Sequence, residues 1–257
     1  MPYIPAGNSQ LYYEEYGEGP PIVLAHGVGG NHASWFNQVP LFSRYFRVIT
    51  IDQRAFGNSS DEEGVGRAAF VDDLKLLLDT LGIKRTILVG QSMGGGTVAA
   101  FSCKYPEYVR ALVHCDSLAA VKLDEPHASA YKALADETFH YTQAQRVLGR
   151  TTLANEPELT LLYLQIASFN SVSLQTVKGA PVPWTPHELA GTGLPVLFVV
   201  GEEDVICPPE YVRVMHEQTP NSKYVEIRRS GHSAYFEQPD AFNQVVLDYV
   251  LSLPTDE

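Results

Sequence analysis

The segment Gly90-Gln91-Ser92-Met93-Gly94 sets one hydroxyl between two glycines, a spacing that suits a serine nucleophile held on a sharp turn. A serine hydroxyl attacks poorly at neutral pH, so this chemistry also demands a base within hydrogen-bond reach and a carboxylate that orients the base. Of the eight histidines, His232 in Ser230-Gly231-His232-Ser233 is the best placed, in a loop expected after the last strand and before the final helix. His26 comes second, although it precedes a glycine-rich loop and suits a structural or oxyanion-loop role better. His32, His114, His127, His140, His187 and His216 fall within helical or strand patterns. For the carboxylate, the apolar run 196–200 ends in Gly201-Glu202-Glu203-Asp204, and Asp204 is preferred because it completes a chain order of Ser, Asp, His. Glu203, one residue earlier, and Asp116, which also ends a strand, stay open as alternatives; Asp52 precedes the nucleophile and fits that order badly.

Acyl transfer develops negative charge on a carbonyl oxygen, which two backbone N–H groups usually receive. Met93, the residue after the serine, is expected to supply one, and Val28 in His26-Gly27-Val28-Gly29-Gly30 the other. Competing uses of the glycine-rich stretches fail on detail. The loop at Gly27 lacks the third glycine of a dinucleotide fingerprint, and neither stretch ends in Gly-Lys-Ser/Thr. His-Glu-x-x-His is absent, and His26 with His32 has no carboxylate nearby in sequence, so neither a metal nor another cofactor is expected.

A Gly-x-Ser-x-Gly match arises by chance in about one chain in ten of this size, so the neighbouring elements must decide its meaning. The match directly follows an apolar run at 86–89 and directly precedes a helical pattern at 92–105, stopped by Pro106. Similar short runs occur at 22–25, 47–51, 111–114, 196–200 and 224–227, after an expected N-terminal hairpin that ends at 10–16. Such runs read as strands buried on both faces. Between two of them, Val71, Leu74, Leu78 and Leu81 recur at helical spacing before Gly82, and Pro239 opens a final helix with Phe242, Val245, Val246 and Tyr249. The alternation predicts a doubly wound, mostly parallel α/β sheet.

From 118 to 190 only helical patterns appear, such as 158–169, which predicts a helical insertion over one end of the sheet. Its aromatic residues, including Tyr141 and Phe169, form either the insertion's own core or a pocket wall. Trp184, Tyr131, Phe139 and Tyr163 are the pocket candidates, together with His26 and Gly27.

The 257 residues suit one large domain with an insertion, and 45% hydrophobic with 19% charged residues suits a compact globular chain. Eighteen Lys and Arg against 30 Asp and Glu give a net charge of −12 with no basic stripe, so neither nucleic acid nor a membrane is an expected partner. Three cysteines without a Cys-x-x-Cys pair argue against a disulfide framework. A start without basic residues or an apolar run, and no stretch of ~18 apolar residues, lead to the expectation of a cytoplasmic protein, monomeric or homodimeric.

The motifs at 26–30, Asp52-Gln53-Arg54-Ala55-Phe56-Gly57-Asn58-Ser59, 90–95, 201–204 and 231–232 stand in the order and at the intervals of the α/β-hydrolase superfamily, which the chain resembles over nearly its whole length. Ala55 departs from the glycine that many members carry. The resemblance implies an α/β-hydrolase fold with a core at 1–117 and 191–257 and a helical cap at 118–190. It also implies a Ser92, Asp204, His232 triad with Val28 and Met93 at the oxyanion hole. Serine at the elbow disfavours the epoxide hydrolases and haloalkane dehalogenases, which carry aspartate there. The leading expectation is a carboxylic ester hydrolase for a small, partly apolar ester or lactone. Alternatives with the same triad are a lactonase or enol-lactonase, a C–C bond hydrolase, a thioesterase, a cofactor-free perhydrolase or haloperoxidase, and a slow-turnover small-molecule receptor.

Overall fold

In the computed structural model, which describes residues 2–254, the apolar runs assemble into one sheet. Its strands are β1 (Tyr3–Ala6), β2 (Ser9–Tyr16), β3 (Pro21–Ala25), β4 (Arg47–Ile51), β5 (Thr86–Gln91), β6 (Val109–Cys115), β7 (Val196–Gly201) and β8 (Ser222–Ile227). They lie in the order β1-β2-β4-β3-β5-β6-β7-β8. β1 pairs antiparallel with β2 and β2 with β4, and every other pairing is parallel. All residues of β5 and β7 are buried, as strands covered by helices on both faces must be.

The helices are α1 (Val39–Phe42), α2 (Phe70–Thr80), α3 (Met93–Lys104), α4 (His127–Thr138), α5 (Gln143–Val147), α6 (Arg150–Asn155), α7 (Pro157–Ala167), α8 (Pro186–Gly191), α9 (Pro209–Glu217), α10 (Ala234–Glu237) and α11 (Pro239–Leu251). Alternating strand residues feed two cores, one per face of the sheet. Val23 and Ala25 join Leu74, Leu78, Val98 and Val212, whereas Ile22 and Leu24 join Trp35, Phe42, Phe242 and Val246. The buried guanidinium of Arg54 grips Asp73 of α2 through Nε at 2.9 Å and Nη2 at 2.7 Å. That two-pronged bond fixes the turn after β4.

Five helices, α4 to α8, lie between β6 and β7, but residues 168–185, between α7 and α8, are not helical as the sequence pattern suggested. Gly179, Pro181 and Pro183 interrupt this stretch, and its end is clasped to the start of the insertion by an isolated bridge between Val121 and Trp184. Among the described residues no helix is long and apolar enough to cross a membrane.

Candidate active site

Parallel strands present their C-terminal ends at one sheet edge, and the turns that leave β3, β5, β6, β7 and β8 meet there. Ser92 follows β5 directly with φ 52° and ψ −118°, a conformation that side chains rarely adopt. The turn is held on both sides: the Ser92 N–H donates to the Cys115 carbonyl at 3.0 Å, while its own carbonyl accepts from Gly96 N–H at 3.1 Å and from the Ser117 hydroxyl at 2.6 Å. Gly90 and Gly94 make the elbow possible because a Cβ at Gly90 would collide with Gly94 and one at Gly94 with the carbonyls that end β3.

His232 Nε2 lies 2.8 Å from Ser92 Oγ, and its Nδ1 lies 2.8 Å from Asp204 Oδ2. The other Asp204 oxygen accepts from the Ile206 and Cys207 N–H groups, each at 2.8 Å, which aims the carboxylate at the imidazole. Burial of His232 opposes its protonation, but Asp204 outweighs this by charge and hydrogen bond, with Asp116 adding to it, so its pKa lies above the usual imidazole value. The rival acids face elsewhere. Glu203 accepts from Thr151 N–H at 2.8 Å and from Arg150 Nε at 3.3 Å. Asp116 accepts from Gly201 N–H at 2.8 Å and Ala234 N–H at 3.1 Å, tying the turns that carry Asp204 and His232 together. Burial holds its carboxyl well above the usual range. Asp52 bonds His32 Nδ1 at 2.9 Å, so a carboxylate does reach His32 through the fold, but away from the cavity.

The loop after β3 lies against the elbow. Val28 lines the same cavity as Ser92, and its N–H has no hydrogen-bond partner among the described residues. Met93 opens α3, where helix N–H groups lack intrahelical acceptors and carry partial positive charge. A Cβ on Gly27 would strike the Ser92 side chain, so only glycine permits this approach. His26 is a structural residue and not part of the pocket wall. It is fully buried, with Nδ1 2.7 Å from the Gly27 carbonyl and Nε2 accepting from Gln53 N–H at 3.0 Å. Burial lowers its pKa, in keeping with a neutral ring.

Ser92 and His232 open onto a cavity of about 770 Å³, within the range of small-molecule sites. Tyr131 of α4 and Tyr163 of α7 line it. Trp184 and Phe139 do not, which corrects the sequence reading. The indole of Trp184 is 1% exposed, packs edge-on against His114 and donates to the Ala119 carbonyl at 3.0 Å, so it belongs to the core. Phe139 is 53% exposed at the end of α4. The helical stretch therefore keeps part of its aromatic surface in solvent.

Asp204, Cys207 and His232 bring three potential metal-ligand atoms within 4.8 Å of one another. The donor set does not suit a metal: burial holds the Cys207 thiol well above its usual pKa, and both His232 nitrogens are engaged.

Three residues at the site had no reading in the sequence. Gln91 lines the cavity and donates from Nε2 to the His232 carbonyl at 2.6 Å. Glu237 accepts from Gly231 N–H at 2.8 Å, Gly149 N–H at 2.7 Å and Thr152 Oγ1 at 2.5 Å, and so couples the His232 turn to α6. An acidic residue five positions after His232 was the available signal for it. Arg146 of α5 also lines the cavity.

The family described as alpha/beta hydrolase fold matches residues 20–239. A 2-hydroxy-6-oxononadienedioate/2-hydroxy-6-oxononatrienedioate hydrolase of Paraburkholderia phymatum is 29% identical, over 94% of this chain and 91% of that protein. Among solved structures, a thermophilic esterase from Thermogutta terrifontis, malate bound, superposes with a TM-score of 0.81 at 27% identity, covering 99% of this chain and 100% of that one. A bromoperoxidase from Bacillus anthracis gives 0.79 at 26% identity, covering 95% and 96%.

Proposed function

The chain belongs to the alpha/beta hydrolase family, and from that premise we propose that it hydrolyses a small carboxylic ester through an acyl-enzyme on Ser92. The observation that carries this reading is the unbroken chain Ser92 Oγ, His232, Asp204, each link 2.8 Å, at the floor of a cavity that also holds Val28 and Met93. Likeness to the Thermogutta esterase supports it.

In this mechanism His232 Nε2 takes the hydroxyl proton as Ser92 Oγ bonds to the ester carbon. The carbonyl electron pair moves onto oxygen, where the Val28 and Met93 N–H groups receive it. Collapse expels the alcohol, which takes the proton back from His232. Water then attacks the acyl-enzyme in the same manner and releases the acid, while Asp204 stabilises the imidazolium in both halves. The insertion at 118–190 serves as a cap that selects the acyl and alcohol parts.

The test is turnover of 4-nitrophenyl acetate and butyrate by the protein and by Ser92→Ala. Turnover that vanishes in the variant supports the reading, and turnover that persists overturns it. Lactones, a C–C cleavage substrate and peroxide with acetate belong in the same panel, because the three side chains also serve those reactions.

A further inference from the structure

We propose, resting on the ester-hydrolase reading, that the substrate carries a carboxylate in addition to its scissile ester, and that Arg146 is the counter-ion that positions it. Arg146 lines the cavity with Ser92 and His232, and its Nη1 is buried without a hydrogen-bond partner among the described residues. No ion pair or side-chain hydrogen bond to another described residue engages the guanidinium. A buried, unsatisfied donor on a cation is expensive to maintain, and native structures keep one chiefly where an absent group completes it.

The charge balance points to an anion. The chain carries 30 acidic residues, yet none is among the residues that line this cavity. The lining does include a second arginine, Arg67, but its Nε already donates to the Gly179 carbonyl at 2.9 Å. Of the two, Arg146 is the one whose side chain makes no hydrogen bond to a described residue and has a buried nitrogen without a partner. Guanidinium presents parallel N–H groups that match the two oxygens of a carboxylate. Burial pulls the Arg146 pKa down, the response of a charge without a counter-ion.

The same cation has a catalytic consequence. Its charge opposes protonation of His232, and a carboxylate seated on it would cancel that field, strengthening the base when substrate is present. Selection of the substrate and activation of the base would then share one contact.

Calorimetry on Ser92→Ala decides the matter without turnover. The probes are monomethyl glutarate and acetoxyacetate, with a carboxylate on the acyl and alcohol side respectively, each compared with its neutral methyl ester. At least one anionic probe is expected to bind about 10- to 100-fold tighter than its neutral partner, the range of a charge-assisted pair. That preference should disappear in Ser92→Ala/Arg146→Gln and return in part in Ser92→Ala/Arg146→Lys. Equal binding of each anionic and neutral pair, or a preference that survives Arg146→Gln, overturns the proposal. If Arg146→Gln does not fold, equal binding by Ser92→Ala still refutes it, and preference retained by the lysine variant but lost in Arg146→Met supports it. A protein that binds the anionic probes but hydrolyses no ester would contradict the ester-hydrolase reading alone.

Discussion

Gly94→Ala tests whether the elbow positions the oxyanion loop. The added Cβ would collide hardest with the Ala25 carbonyl oxygen, and would stand 2.6 Å from the Ala25 carbonyl carbon and 2.7 Å from the His26 carbonyl oxygen, where ordinary contact begins at 3.4 Å. The backbone must therefore yield by about 0.7 Å at His26, the difference between contact and clash, and by more at Ala25. Ala25 cannot move freely because it is paired to Ile51 on one side and Gly90 on the other, so the strain passes to the loop that bears Val28. Overpacking of this kind costs about 1–3 kcal/mol, which lowers Tm by about 2–12 °C in a chain of this size. Loss of one oxyanion donor slows catalysis about 100- to 1000-fold, and a partly displaced donor should remove about 10- to 100-fold from kcat. Scanning calorimetry and 4-nitrophenyl butyrate kinetics read the two effects. Gly191→Ala is the control: nothing lies within 4 Å of its added Cβ, and a helical alanine should leave Tm and kcat nearly unchanged. A Gly94→Ala protein within about twofold of wild type in kcat, at unchanged Tm, would refute the reasoning.

The pH profile should report His232. Activity needs its neutral ring, and because its pKa is raised, kcat/KM should fall on the acid side with a midpoint above 6.5. Asp204→Asn removes the main raising partner, so the midpoint should move down and the rate should drop about 1000- to 10000-fold, whereas Glu203→Gln should stay within about threefold; an unmoved midpoint in Asp204→Asn would count against the assignment. His114 is fully buried with neither nitrogen hydrogen-bonded among the described residues, and burial pushes its pKa down to about 3. The unfolded chain protonates this residue first, so the stability it contributes is complete above pH 6.5 and is lost as pH falls toward 3. Between pH 6.5 and 5 that amounts to about 2 kcal/mol, and urea unfolding of His114→Leu should show an acid loss smaller by that amount; equal losses would refute the account.

The sheet was legible because buried parallel strands write themselves as unbroken apolar runs, and β3 to β8 coincide with such runs to within two residues. Ser92 was legible for a related reason, since a strand, a small-residue turn and a helix start are all local. The approach of His232 and Asp204 depends on two further turns at the same edge, whose positions followed from strand order. What escaped was tertiary. The side chains of Gln91 and Glu237 act through partners as distant in sequence as 141 positions for Gln91 and His232, Arg146 meets the cavity only through the fold, and no spacing announces such placements. Trp184 and Phe139 were indistinguishable as aromatic residues of one insertion, yet one fills the core and the other faces solvent. Ala55 shows the converse. The resemblance marked it as a departure from glycine, and its φ of 72° explains why glycine is the common choice there.

The central claim is that Ser92 is the nucleophile, and covalent trapping addresses it most directly. A methyl 4-nitrophenyl alkylphosphonate, which stays on an activated serine, should release one nitrophenol per chain and modify the peptide that holds Ser92. Ser92→Ala should neither react nor turn over ester. Modification at another residue, or ester turnover undiminished in Ser92→Ala, would contradict the account.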